Sequence, residues 1–217
     1  MRKVLLALVI GLLAGHFSTA ARAETVTVAM FGDSLTQGYG LVQSEGLVPQ
    51  LQAWLDARGA DARLINAGVS GDTTAGGLAR IGWTLTGEVD AVVVALGGND
   101  MLRGIDPAVS RANLDGILDA ADRAGVGVLL MGMKAPGNFG PDYKAAFDGM
   151  YPDLARAHGV ALHPNLLGGI GRAVGGDATR LRQYFQGDNI HPNAAGVAVI
   201  VEDIGPAVFD LTRELRR

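Results

Sequence analysis

The chain of 217 residues contains no cysteine, which excludes disulfides, a lipid-modified cysteine and any thiolate metal site. It also lacks a basic surplus. The formal charge is −4, and Lys and Arg cluster only in the first three residues and the C-terminal tail, so nothing is present to neutralise a phosphate backbone. Nucleic acid is excluded as a partner on that ground. No internal repeat, low-complexity tract or linker interrupts the sequence, which leaves no place for a second domain. The longest apolar run, residues 4–15, is shorter than the roughly 20 residues a spanning helix needs, so no stable membrane anchor is expected.

What is present points to a globular enzyme with an exported mature form. Hydrophobic residues make up 48% of the chain and charged residues 18%, the balance of one domain with a sizeable core. Arg2 and Lys3 precede the apolar run, and Ala21-Arg22-Ala23 follows it as a small-x-small cleavage pattern. Residues 1–23 therefore read as a secretory signal peptide and residues 24–217 as the mature domain, periplasmic or secreted. Without cysteine, that domain stands in an oxidising compartment on its core alone. The 32 glycines are about twice the usual share, and many follow apolar runs, where a strand gives way to a loop.

Short β-branched runs alternate with longer amphipathic stretches, the pattern of βαβ units in a mostly parallel sheet. Strands are expected at residues 26–31, 63–67, 91–96, 126–133 and 160–163. Leu47, Val48, Leu51, Trp54 and Leu55 recur at helical spacing, Asp106-Pro107 caps a second helix, and Tyr143, Phe147, Met150, Tyr151 and Leu154 mark a third. Val197, Ile200, Val201 and Ile204 mark the last helix, which Gly205-Pro206 is expected to kink or divide.

In such a sheet the strand C-terminal ends form one rim, and the loops leaving it build the site. Ser34, the Ser70-Gly71-Asp72 turn, Asn99-Asp100 and Asp188-Asn189-Ile190-His191 fall on that rim or near the C-terminus. A serine hydroxyl needs an adjacent base, itself oriented by a third group. His158, at a helix end, and His163, in a short strand, read as structural. His191 follows Asp188 by three residues, close enough for the carboxylate to fold back onto one ring nitrogen while the other faces Ser34. The Ser34 N–H, the Gly71 N–H and the Asn99 amide are the expected oxyanion donors. Alone, each element is an ordinary turn or cap; together and in order they describe a serine hydrolase that needs no cofactor or metal. The Gly-x-Ser-x-Gly elbow of ordinary α/β-hydrolases is absent, since Ser34 and Ser70 are followed at that spacing by Thr36 and Asp72.

Four blocks then resemble the SGNH or GDSL hydrolases: Phe31-Gly32-Asp33-Ser34-Leu35-Thr36, Asn66-Ala67-Gly68-Val69-Ser70-Gly71-Asp72-Thr73, Leu96-Gly97-Gly98-Asn99-Asp100, and Asp188-Asn189-Ile190-His191-Pro192-Asn193. The likeness covers nearly the whole mature chain. It implies a three-layer α/β/α, flavodoxin-like fold with a five-stranded sheet, a Ser34-His191-Asp188 triad, and an oxyanion hole from Ser34, Gly71 and Asn99. It also implies that the 135–140 loop borders the acyl pocket. Met101, Leu102, Ala135, Pro136, Phe139 and Ile190 are the pocket candidates, and their apolar character ranks an aryl ester, acyl ester or thioester substrate above an acetylated sugar. A non-catalytic lipid- or glycan-binding module is the reading from another class, and the intact Ser34, Asp188 and His191 speak against it.

Overall fold

The structure, a computed structural model, describes residues 25–216; the signal peptide read at residues 1–23 lies outside them. In chain order the elements are β1 (Val26–Gly32), α1 (Ser34–Gln37), α2 (Leu47–Asp56), β2 (Ala62–Gly68), α3 (Thr74–Thr84), β3 (Ala91–Ala95), α4 (Gly98–Leu102), α5 (Pro107–Ala124), β4 (Gly127–Met131), α6 (Pro141–His158), β5 (Ala161–His163), α7 (Gly168–Val174) and α8 (Ala194–Glu214). All strand pairs are parallel, in the order β2-β1-β3-β4-β5. Helices α2, α7 and α8 pack together on one side of the sheet and α3, α5 and α6 on the other. Every residue of β1 and β3 is buried, which is why β3 is written almost wholly in valine and alanine: a parallel strand covered on both faces has no polar side.

The strand order places the topological switch between β1 and β3, where the chain leaves β1 in one direction for β2 and in the other for β3. A crevice opens there at the strand ends. In register, Gly32 at the end of β1 faces Gly68 of β2 and Ala95 of β3. The residues that follow these three positions begin the first three sequence blocks' loops, so the sheet itself gathers them.

The five strands fall where the sequence predicts, and Asp106 caps α5 by accepting from the Ala108 N–H with Pro107 in the first turn. Three details differ. β4 ends before Gly132, whose N–H and C=O turn to the His163 carbonyl and the Leu166 N–H; a Cβ at Gly132 would sit 2.5 Å from the Pro164 carbonyl oxygen. The stretch after β5 contains α7 and a 3₁₀ segment, Ala178–Gln183. Finally, α8 is not divided at Gly205-Pro206 but runs as one helix through it. Pro206 and Glu202 lie on the solvent side, so the carbonyl that proline leaves without its helical donor faces water. Gly205, in turn, lies under the Trp54 ring, 2.7 Å from where its Cβ would be. Buried Val197, Ile200, Val201, Ile204, Val208 and Leu211 hold both halves of the helix to the sheet, which outweighs one missing hydrogen bond.

Candidate active site

Ser34 is the first residue of α1, immediately past the end of β1. Asp33 makes the turn and caps it, its side chain accepting from the Leu35 N–H at 3.0 Å, while Gln37 and Gly38 N–H close onto the Asp33 and Ser34 carbonyls. Ser34 is 8% exposed. Its Oγ lies 2.9 Å from His191 Nε2, and His191 Nδ1 lies 2.6 Å from Asp188 Oδ2. The other Asp188 oxygen accepts from the Ile190 and His191 N–H groups at 2.9 and 3.0 Å. The hydrogen bond from the His191 ring, aided by these two backbone donors, holds the Asp188 carboxyl down at about 2, so it is ionised at neutral pH.

The loop that carries this pair is stapled at its ends. Asn189 takes φ 58°, a left-handed position that asparagine tolerates better than most residues, and Gln186 N–H donates to the His191 carbonyl. The Gln186 amide donates to the carbonyls of Tyr39 and Pro192. The Tyr39 ring lies against the imidazole with centroids 4.6 Å apart. Asn193 then caps α8 through the Gly196 N–H.

The other half of the site rests on the ends of β1, β2 and β3. Gly97 takes φ 119°, and a Cβ there would sit 2.2 Å from the Tyr151 hydroxyl, which donates to the Leu96 carbonyl. The turn delivers Asn99, whose amide donates to the Asp72 carbonyl at 2.9 Å and to Asp33 Oδ2 at 3.4 Å. Gly71 takes φ 81°, and its carbonyl accepts from Arg103 at 2.9 Å. Among the described residues, the Ser34 and Gly71 N–H groups have no protein acceptor. Asp100 accepts from the Thr74 N–H and hydroxyl and from the Ser110 hydroxyl, which fastens α4 to α3 and α5. Burial raises the Asp33 carboxyl to about 6, against the opposing pull of the Leu35 N–H and His191.

A cavity of about 310 Å³ opens beside Ser34, Asn99 and His191. Its apolar wall is Leu35, Met101, Leu102, Met133, Leu167, Phe185 and Ile190. Of the pocket candidates, Met101, Leu102 and Ile190 line it, and Ala135, Pro136 and Phe139 do not. The 135–140 loop is drawn away toward α6. The Ala135 N–H donates to Asp148, its carbonyl accepts from Lys144, and Phe139 packs on Tyr143 with ring centroids 5.0 Å apart. Met133, on the rim after β4, was open to discovery from the strand-end rule; Leu167 and Phe185 come from the irregular stretch after β5 and carried no such signal. A larger cleft, about 710 Å³, lies at the opposite end of the sheet around Thr25, Asp90 and Arg216. Among the described residues it is lined by no serine or histidine. His158 and His163 stand elsewhere, paired with Asp115 and beside Asp203. Among the described residues no three His, Asp or Glu side chains converge to hold a metal ion.

Comparison with known proteins gives this arrangement its relatives. Residues 30–199 match the GDSL-like Lipase/Acylhydrolase family. The chain is 40% identical to "Esterase TesA" of Pseudomonas aeruginosa over 88% of its own length and 91% of that protein's. It is 36% identical to "Thioesterase 1/protease 1/lysophospholipase L1" of Escherichia coli K12 over 80% and 78%. The crystal structure of TesA superposes with a TM-score of 0.77, covering 85% of this chain and 99% of that one at 39% identity. The chain belongs to the GDSL family of hydrolases and is a serine esterase acting on ester bonds.

Proposed function

We propose that Ser34 is the nucleophile, His191 its general base and Asp188 the group that orients the base, and that the Ser34 N–H, Gly71 N–H and Asn99 amide hold the oxyanion. The observation that carries this reading is the unbroken chain from Asp188 through His191 to Ser34, 2.6 and 2.9 Å per link, opening on an apolar cavity. Ser34 Oγ attacks the acyl carbonyl as His191 Nε2 takes its proton. Asp188 fixes the ring so that Nδ1 carries the other proton and then stabilises the imidazolium. His191 protonates the departing alcohol or thiol, and water, activated by the same imidazole, releases the acid from Ser34. No cofactor enters the scheme.

The substrate is assigned to hydrophobic acyl or aryl esters and thioesters. Seven apolar side chains line the cavity, and 310 Å³ is at the small end of the ~300–1,000 Å³ range for ligand sites, which favours short to medium acyl groups over long ones. The same lining offers few partners to the hydroxyls of a sugar, which places glycan deacetylation behind. The leader at residues 1–23 supports export of residues 24–217 as the working enzyme.

The test is covalent labelling with a fluorophosphonate together with rates on p-nitrophenyl esters of increasing chain length. Ser34→Ala abolishes labelling and turnover with unchanged circular dichroism, and wild-type rates fall beyond medium chains. An Ser34→Ala enzyme with wild-type turnover overturns the assignment.

A further inference from the structure

Arg80, on α3, belongs to none of the sequence blocks that carry the chemistry, yet its guanidinium touches three of the segments that assemble the site. Nε donates to Asp72 Oδ2 at 2.7 Å, Nη1 to the Ala67 carbonyl at 2.9 Å and Nη2 to the Gly32 carbonyl at 2.9 Å. Its flat face lies 3.9 Å from the centroid of the buried Phe31 ring. Gly32 is the last residue of β1, two before Ser34; Ala67 is the penultimate residue of β2; Asp72 directly follows Gly71. The Gly32 carbonyl also accepts from the Val69 N–H at 3.0 Å, so it is bonded both to Arg80 and to the segment carrying Gly71.

The surroundings are shaped for this contact. A Cβ on Gly76 would fall 1.8 Å from Asp72 Oδ1, so the carboxylate is seated where only glycine leaves room. The Arg80 and Asp72 side chains are 19% and 10% exposed, and a planar fork of donors in that setting fixes direction as well as distance. A lysine, one point charge on a flexible stem, cannot reach three acceptors in one plane.

We propose that Arg80 is a positioning residue for ester hydrolysis: by tying the ends of β1 and β2 to Asp72, it holds the Gly71 N–H at the spot where the carbonyl oxygen of the transition state develops charge. Arg80 does not touch substrate. Its effect falls on the transition state rather than on ground-state binding, because the acyl cavity is built from other residues. This inference rests on the assignment of Ser34 and Gly71 made above.

The experiment measures kcat and KM on p-nitrophenyl butyrate, with active sites counted by fluorophosphonate, and the affinity for a trifluoromethyl ketone that mimics the tetrahedral adduct. In Arg80→Gln and Arg80→Lys, kcat per active site falls on the order of 100-fold, the loss a displaced donor produces, with KM within about threefold of wild type by the same differential-binding argument. Affinity for the ketone falls in parallel with kcat/KM. Gly76→Ala, which leaves Arg80 in place but displaces its Asp72 partner, reproduces the pattern in part and keeps the proposal testable if Arg80 variants fold poorly. Unchanged kcat per active site in both Arg80→Gln and Gly76→Ala overturns it, as does a loss confined to the number of active sites or the melting temperature. If wild type itself is not labelled by the phosphonate, the underlying assignment of Ser34 fails instead, and the two failures are thereby distinguished.

Discussion

The two halves of the proposed active site are built by opposite means. The base half, Asp188 to His191, is exposed or half-exposed and owes its internal geometry to hydrogen bonds between residues two and three apart. The nucleophile and oxyanion half sits at the sheet ends, with Ser34 buried, Asn99 half-buried and Gly71 exposed, and its bonds join residues 27, 48 and 66 apart. Removing a side chain from the first half leaves water to solvate what remains. Removing one from the second strands a part-buried acceptor, which costs stability as well as rate. The comparison therefore separates two kinds of damage.

The largest effect is expected at the base. His191→Ala should lower kcat by roughly 10⁴-fold or more, as loss of a triad member does, with a melting temperature within about 2 °C of wild type, because the loop that carries it keeps its backbone hydrogen bonds. A large fall in melting temperature would show the base half to be as structural as the other. Asp188→Asn comes next, with a loss of about 10²- to 10⁴-fold from a misdirected imidazole; retention of wild-type turnover would remove Asp188 from the mechanism. Asn99→Ala should lose on the order of 100-fold in kcat and also about 1–2 kcal/mol of stability, because the Asp72 carbonyl loses its donor. Denaturant unfolding of that variant beside His191→Ala sharpens the contrast directly: equal stabilities would break it.

A smaller, pH-dependent effect is expected at Asp33. Its carboxyl is raised to about 6 by burial from an unfolded value near 3.8, so the folded state holds its proton more tightly than the unfolded one. Stability is then lost as pH rises between about 4 and 6, by up to about 3 kcal/mol from the linkage relation. Asp188, held at about 2, works the other way: its stabilising contribution is present above pH 4 and lost as pH falls toward 2. Asp33→Asn should therefore gain stability relative to wild type on going from pH 4 to pH 7, read by urea unfolding at both. An identical difference at the two values would assign Asp33 an ordinary carboxyl.

The same contrast explains what was legible in the chain. The base half is local, so Asp188-x-x-His191 could be read from spacing, and strands buried on both faces announce themselves in runs such as Val92-Val93-Val94. The parts that escaped reading are those set by distant contacts. Arg80 lies in α3, a helix whose three glycines, Gly76, Gly77 and Gly82, dilute both helix propensity and the apolar stripe, and nothing local marks its three acceptors. Leu167 and Phe185 reach the cavity from a segment without strand or long helix. The 135–140 loop lies off the cavity wall for the same reason: Lys144 and Asp148, one helix turn apart on α6, hold Ala135, and no pattern within the loop reveals them.

The separation of 157 positions between Ser34 and His191 also sets an order of events during synthesis. Ser34 is made early, just after the second strand from the edge of the sheet, while its proposed base arrives just before α8, the last helix among the described residues. A growing chain therefore carries a serine with the reactivity of any alcohol until that final helix docks. The proposed chemistry is complete only once the chain through α8 is made and folded, which keeps an unfinished or still unfolded chain from attacking esters.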